Sequence, residues 1–174
     1  MRSLHNNDKM TEKILGFDPA VNRVGYGLIE NKGKDVKVVS TGIIISNMSL
    51  PYYQKLINLI ENIDKILDRF LPDMVVIEEI YVGKNARIAL KIGQITGLII
   101  ASSARKGIPF HLIPPAEVKE CLTGNGIATK QQVQFMLEHI TGYTKFNNTD
   151  ESDAVAVAVA YLQRRKEYDL LYSR

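Results

Sequence analysis

The spacing of apolar positions changes several times along the chain, and each change predicts a different element. KILGFDPA is a compact apolar run that closes on a turn, and GYGLIEN and KVVSTGIII repeat the form, with Gly33 and Lys34 between them. Short apolar runs bounded by turn residues predict strands, and three so close together predict an antiparallel meander. The rhythm then lengthens. In LPYYQKLINLIENIDKILDRFL, Leu56, Ile60, Ile63 and Leu67 recur at helical spacing with Leu59, Ile66 and Phe70 beside them, and Pro72 stops the helix. DMVVIEEI predicts a buried strand that runs straight into charge at Glu78. Residues 85–106 predict a second helix, PFHLI a short strand, PAEVKECL a helix opened by proline, and TKQQVQFMLEHI a helix behind Thr129.

The last segment, NNTDESDAVAVAVAYLQRR, alternates with period two, which superficially resembles a strand. The alternation is only one of size, because valine and alanine are both apolar. Alanine favours helix, and charge brackets the run at both ends, so a buried helix is expected. Asn148 with Glu151 three residues on has the form of an N-cap signature. The order is thus three strands, then helix, strand, helix, strand, and helices to the end. That order predicts an α/β fold: a mixed five-stranded sheet, an antiparallel meander plus parallel strands, flanked by helices. Residues 1–12 are expected to be a flexible leader, 13–164 a single domain and 165–174 a polar tail.

Composition narrows the function. At 174 residues, with 45% hydrophobic and 24% charged residues, the chain suits one domain with a full core. A net charge of +3 permits a polyanionic partner without requiring one. The single cysteine, Cys121, excludes an internal disulfide framework and fits a reducing compartment. No run approaches the roughly 20 apolar residues of a membrane span, so a cytoplasmic location and no membrane partner are expected. His5, His111 and His139 are scattered and receive no role.

The acids are not scattered. Asp18 closes an apolar strand ahead of Pro19, and Glu78 closes another, with Glu79 facing the opposite way by strand alternation. Asp150 and Asp153, three apart, share one helical face with Cβ atoms roughly 5–6 Å apart. Each acid alone has a plain structural reading, as a turn residue or a helix start. Together they form a set of carboxylates from separated segments without a His or Cys cluster, which suits Mg²⁺ or Mn²⁺ rather than zinc. Two such ions about 3.5–4 Å apart promote phosphodiester cleavage. Between these acids lies KNARIALKIGQITGLIIASSAR, in which Ala89, Gly93, Gly97 and Ala101 make a four-residue ridge. Each helical glycine costs about 1 kcal/mol against alanine, so close approach of something to the ridge is expected. Ile88, Ile92, Ile95 and Ile99 supply a bulky second face.

ILGFDPAVNRVGYGLIE, VVIEEIYVGKNARIALKIGQITG and NTDESDAVAVAVAYL resemble the three acidic motifs of the RuvC family, Holliday-junction resolvases of the RNase H-like superfamily, over roughly residues 13–164. The resemblance implies an RNase H-like fold and a crossover junction endodeoxyribonuclease acting in recombination and repair. It implies a homodimer that cuts a four-way DNA junction by paired, symmetric, Mg²⁺-dependent cleavage, with two ions per site and Mn²⁺ as a substitute. By position it places the catalytic and metal-binding acids at Asp18, Glu78, Asp150 and Asp153. It places DNA contacts at Tyr81, Lys84, Lys119 and Lys130, and a dimer interface on the helix carrying Ala89, Gly93 and Gly97. Cooperation with a RuvA–RuvB branch-migration complex is also implied. The chain departs from the family pattern at Ala20, where glycine is usual, and at Tyr81, where phenylalanine is common. The competing readings are another RNase H-like nuclease with a different nucleic-acid substrate, and a junction-binding module that does not cut.

Overall fold

The computed structural model describes residues 11–80 and 85–172. Three strands open the chain: β1 (Glu12–Pro19), β2 (Arg23–Lys32) and β3 (Asp35–Ile45). They pair antiparallel, β1 with β2 and β2 with β3, as the short turns between them require. α1 (Tyr52–Phe70) then crosses one face and leads to β4 (Met74–Glu78), which lies parallel to β1. α2 (Ala86–Arg105) leads in the same way to β5 (Phe110–Ile113), parallel to β4. The sheet order is β3-β2-β1-β4-β5. This is the expected mixed five-stranded sheet. α3 (Pro115–Thr123), α4 (Lys130–Thr141) and α5 (Thr149–Tyr172) complete the chain.

Strand alternation divides the core between two layers. Leu15, Phe17, Val75 and Ile77 face α1 and α2, packing with Leu59, Ile63, Ile95 and Ile99. Ile14, Ile29 and Val76 face the other way and pack with Val155 to Ala160 of α5 and with Val118 and Leu137 of α3 and α4. The period-two AVAVAVA run is therefore a helix buried on all sides, which explains why it carries no amphipathic stripe.

Two boundaries differ from those read in the sequence. β1 starts at Glu12, inside the expected leader, and α5 continues past 164 to Tyr172. One ion pair joins the two ends: Arg165 Nη2 lies 2.6 Å from Glu12 Oε2. The apolar face of α1 is also rotated. Leu59, Ile63, Leu67 and Phe70 are buried, whereas Leu56 and Ile60 are only half-buried. Among the described residues no helix is long and apolar enough to cross a membrane.

Candidate active site

Asp18 and Glu78 end adjacent parallel strands, and the register decides which way they point. Gly16 pairs with Val76, so the next residues of the same parity, Asp18 and Glu78, share the α5 face at one end of the sheet. Glu79 is exposed, and its backbone N–H donates to Ile113 O at 2.8 Å.

The start of α5 is brought to this same end by missing side chains. A Cβ on Gly16 would sit 2.0 Å from Ala154 O, and one on Gly25 would sit 2.3 Å from Asp150 O. Glycine in strand interiors lets the helix backbone rest directly on the sheet. The helix start is then fixed by side chains. Asn148 Oδ1 accepts from Glu151 N at 3.0 Å, its Nδ2 donates to Glu151 Oε1 at 3.1 Å, and Thr41 Oγ1 donates to Glu151 Oε2 at 2.8 Å. Burial works against the charge of Glu151, but these hydrogen bonds outweigh it and hold its carboxyl below the usual range. Glu151 is thus committed to capping, and Asp150 and Asp153 are left to the site.

A cavity of about 260 Å³ opens at this end, lined by Asp18, Glu78, Asp153, Lys119 and Lys130. α3 supplies Lys119. α4 supplies Lys130 from its first turn, where Thr129 and Gln132 form a reciprocal capping box. Lys130 Nζ donates to Asp153 Oδ2 at 2.8 Å, and this bond raises the lysine pKa despite partial burial. Asp150 stands beside the cavity and forms an ion pair with Arg23. Burial, with the charges of Asp153 and Asp150, pushes Asp18 up to about 6. Burial, with the charges of Asp18 and Asp153, pushes Glu78 up to about 8. Glu78 is therefore the protonated member of the pair at neutral pH and donates its hydrogen bond to Asp18.

Among the described residues no three acidic, imidazole or thiol side chains converge closely enough to hold one ion as they stand. Asp150 is instead paired with Arg23, and Asp153 with Lys130. The donor set nevertheless fits a hard divalent cation. Three carboxylates line one cavity, a fourth is adjacent, and the burial and like-charge crowding that raise Asp18 and Glu78 are what a dication offsets.

Of the other residues singled out in the sequence, Tyr81 and Lys84 lie outside the described residues. The departure at Ala20 is accommodated without strain: its N–H donates to Arg23 O at 2.9 Å, and its φ is not positive. On α2, Ile95 and Ile99 are buried against the sheet, while the small ridge faces outward. A Cβ on Gly97 would meet nothing within 4 Å, and one on Gly93 only Ile80 Cδ1 at 3.6 Å. Ala89 and Gly93 line an apolar groove of about 690 Å³ with Leu90 and Leu112 on its rim. Arg23 is the neighbour of the acids that the sequence reading missed. The signal was present, since alternation along β2 puts it on the face of Gly25 and Gly27.

Comparison with known proteins places the family and the fold. The family model for crossover junction endodeoxyribonuclease RuvC matches residues 14–161. The crossover junction endodeoxyribonuclease RuvC of Trichlorobacter lovleyi is 33% identical over 150 residues, covering 86% of this chain and 84% of that protein. The protein of the same name from Brucella ovis is 31% identical over 158 residues, covering 91% of each. The structure of T. thermophilus RuvC in complex with Holliday junction substrate superposes with a TM-score of 0.84 at 23% identity, covering 90% of this chain and 96% of that one, so the fold is shared. By its family match, its relatives and its RNase H-like sheet, this chain belongs to the RuvC family of crossover junction endodeoxyribonucleases.

Proposed function

We propose that this protein resolves four-way DNA junctions as a homodimeric endonuclease dependent on Mg²⁺ or Mn²⁺, with Asp18, Glu78, Asp150 and Asp153 as the catalytic acids. The observation that carries the reading is the convergence of Asp18, Glu78 and Asp153 on one cavity that also holds Lys119 and Lys130. Carboxylates alone would repel a DNA backbone. Two ammonium groups lining the same cavity give the phosphate a place to sit.

Asp18, Glu78, Asp150 and Asp153 are the residues that would hold the ions. Two divalent ions held there supply polarisation of water and of the leaving oxygen for in-line displacement at phosphorus. The chain's own contribution is positional. Glu78 would release its proton to solvent when it takes up a metal. Lys130, which holds Asp153 in place, and Lys119 hold the nonbridging oxygens of the strand to be cut. The outward ridge of Ala89, Gly93 and Gly97 is the surface for a second copy, and a twofold dimer matches the pseudo-twofold symmetry of a four-way junction. Tyr81 and Lys84, beside that ridge in sequence, are assigned to DNA contact. Cooperation with a RuvA–RuvB complex and a cytoplasmic location complete the reading.

Substrate selectivity tests it. Fluorescence anisotropy with a labelled four-way junction, its linear duplex arms and an RNA–DNA hybrid is expected to rank the junction at least tenfold tighter, with strong weakening as salt rises. Preference for the hybrid would point instead to a different RNase H-like nuclease.

A further inference from the structure

Arg23 is the first residue of β2, and its parity places it on the face that carries α5. The absent side chain of Gly25, two residues on, seats the Asp150 backbone directly against this strand. The result is a contact between Arg23 Nε and Asp150 Oδ2 at the mouth of the acidic site. The two partners are unequally placed: the arginine side chain is 56% exposed and the aspartate side chain 11%. Arg23 Nε and Asp150 Oδ2 meet as an ion pair, with the carboxylate oxygen shielded from solvent. An arginine held in this way is not a packing element. It is a largely exposed cation set on a largely buried carboxylate, next to the acidic cavity.

We infer that Arg23 links divalent-metal binding to DNA binding: it neutralises Asp150 in the free enzyme and transfers to a backbone phosphate when Asp150 turns to the metal. The inference rests on the proposed reading of Asp150 as a metal ligand, and it assigns Arg23 as a positioning residue rather than a catalytic one. Two physical consequences follow from a single contact. Arg23 competes with a dication for Asp150 and also repels it, so the free enzyme binds metal more weakly than its carboxylates alone would. Once displaced, the guanidinium adds a cation to the DNA path, so metal strengthens DNA binding by more than its own charge accounts for. Linkage makes the effect reciprocal, and the junction must tighten metal binding by the same factor.

The test uses Arg23→Gln and Arg23→Lys in the full chain. Mn²⁺ binding is followed by electron paramagnetic resonance without DNA. Binding of a labelled four-way junction is followed by anisotropy in EDTA and in Ca²⁺, with a denaturing gel confirming that the strands stay intact. Arg23→Gln is expected to bind Mn²⁺ about three- to tenfold more tightly, and to lose about fivefold or more of junction affinity in Ca²⁺ but little in EDTA. Arg23→Lys is expected to restore most of the Ca²⁺-dependent junction affinity. Unchanged or weaker Mn²⁺ binding by Arg23→Gln would overturn the inference, as would an equal loss of junction affinity with and without Ca²⁺. A wild-type protein that binds no Mn²⁺ would instead overturn the assignment of Asp150 and the proposed function beneath it.

Discussion

Glu78 donates a hydrogen bond to Asp18 from the end of the neighbouring parallel strand, so two carboxyl groups share one proton at the floor of the cavity. Burial and mutual repulsion raise Asp18 to about 6 and Glu78 to about 8. Metal binding must expel that proton. Affinity for Mg²⁺ or Mn²⁺ is therefore expected to climb from pH 6 to pH 8 and to level off above that range. Isothermal titration in two buffers of different ionisation enthalpy at pH 7 should show close to one proton released per site. A pH-independent isotherm would contradict it.

The same pair has a stability cost of known sign. A carboxyl whose folded pKa is raised binds more protons in the native state, so stability falls as pH rises from the unfolded value toward the folded one. Without divalent cations the protein is expected to lose stability between about pH 4.5 and pH 8 from Glu78. Glu78→Gln removes that loss. Its melting temperature in EDTA should exceed wild type at pH 8, by an amount worth on the order of 2 kcal/mol after allowing for solvent screening. The two should nearly coincide at pH 5. The variant should cleave no junction.

The three acids that open α5 separate by role. Glu151→Gln, which loses part of its capping with Asn148 and Thr41, is expected to cost about 1–2 kcal/mol in urea unfolding while keeping cleavage within a few fold. Asp153→Asn is expected to keep the fold and lose cleavage by about 10³-fold or more. Equal losses of activity in the two would contradict the division.

Gly16 and Gly97 make opposite cases. A methyl at Gly16 would sit 2.0 Å from Ala154 O, so Gly16→Ala must push α5 off the sheet and should cost about 3 kcal/mol or more. Gly97 has open space within the subunit. Gly97→Leu should therefore leave the subunit's melting unharmed yet dissociate the dimer in sedimentation velocity. A stable dimer carrying leucine at 97 would remove the ridge from the interface.

Much of this was legible because it is local. Periodicity separates most of β1 to β5 from α1 to α4, alanine propensity and flanking charge settle α5, and the Asn148–Glu151 cap is visible in four consecutive residues. Carboxylates that close apolar strands stand out for the same reason: Asp18 and Glu78 break the pattern that precedes them. What escaped was non-local. Leu59 rather than Leu56 faces the core, because the sheet and not the helix decides which side of α1 is covered. The Glu12–Arg165 pair moves both ends of the domain, and its partners are 153 positions apart. Arg23 joins Asp150 only through the close approach that Gly25 permits, although a strand glycine is itself a sign of such approach.

The most direct test of the central claim is cleavage of an end-labelled synthetic four-way junction in Mg²⁺, beside its linear duplex arms and an Asp18→Asn control. The expected result is a pair of symmetric nicks in opposing strands near the crossover, absent from the duplex, from EDTA and from the variant. Binding of the junction without nicking in Mg²⁺ and Mn²⁺ alike, or equal cutting by Asp18→Asn, would contradict the assignment of this site as a metal-dependent resolvase centre.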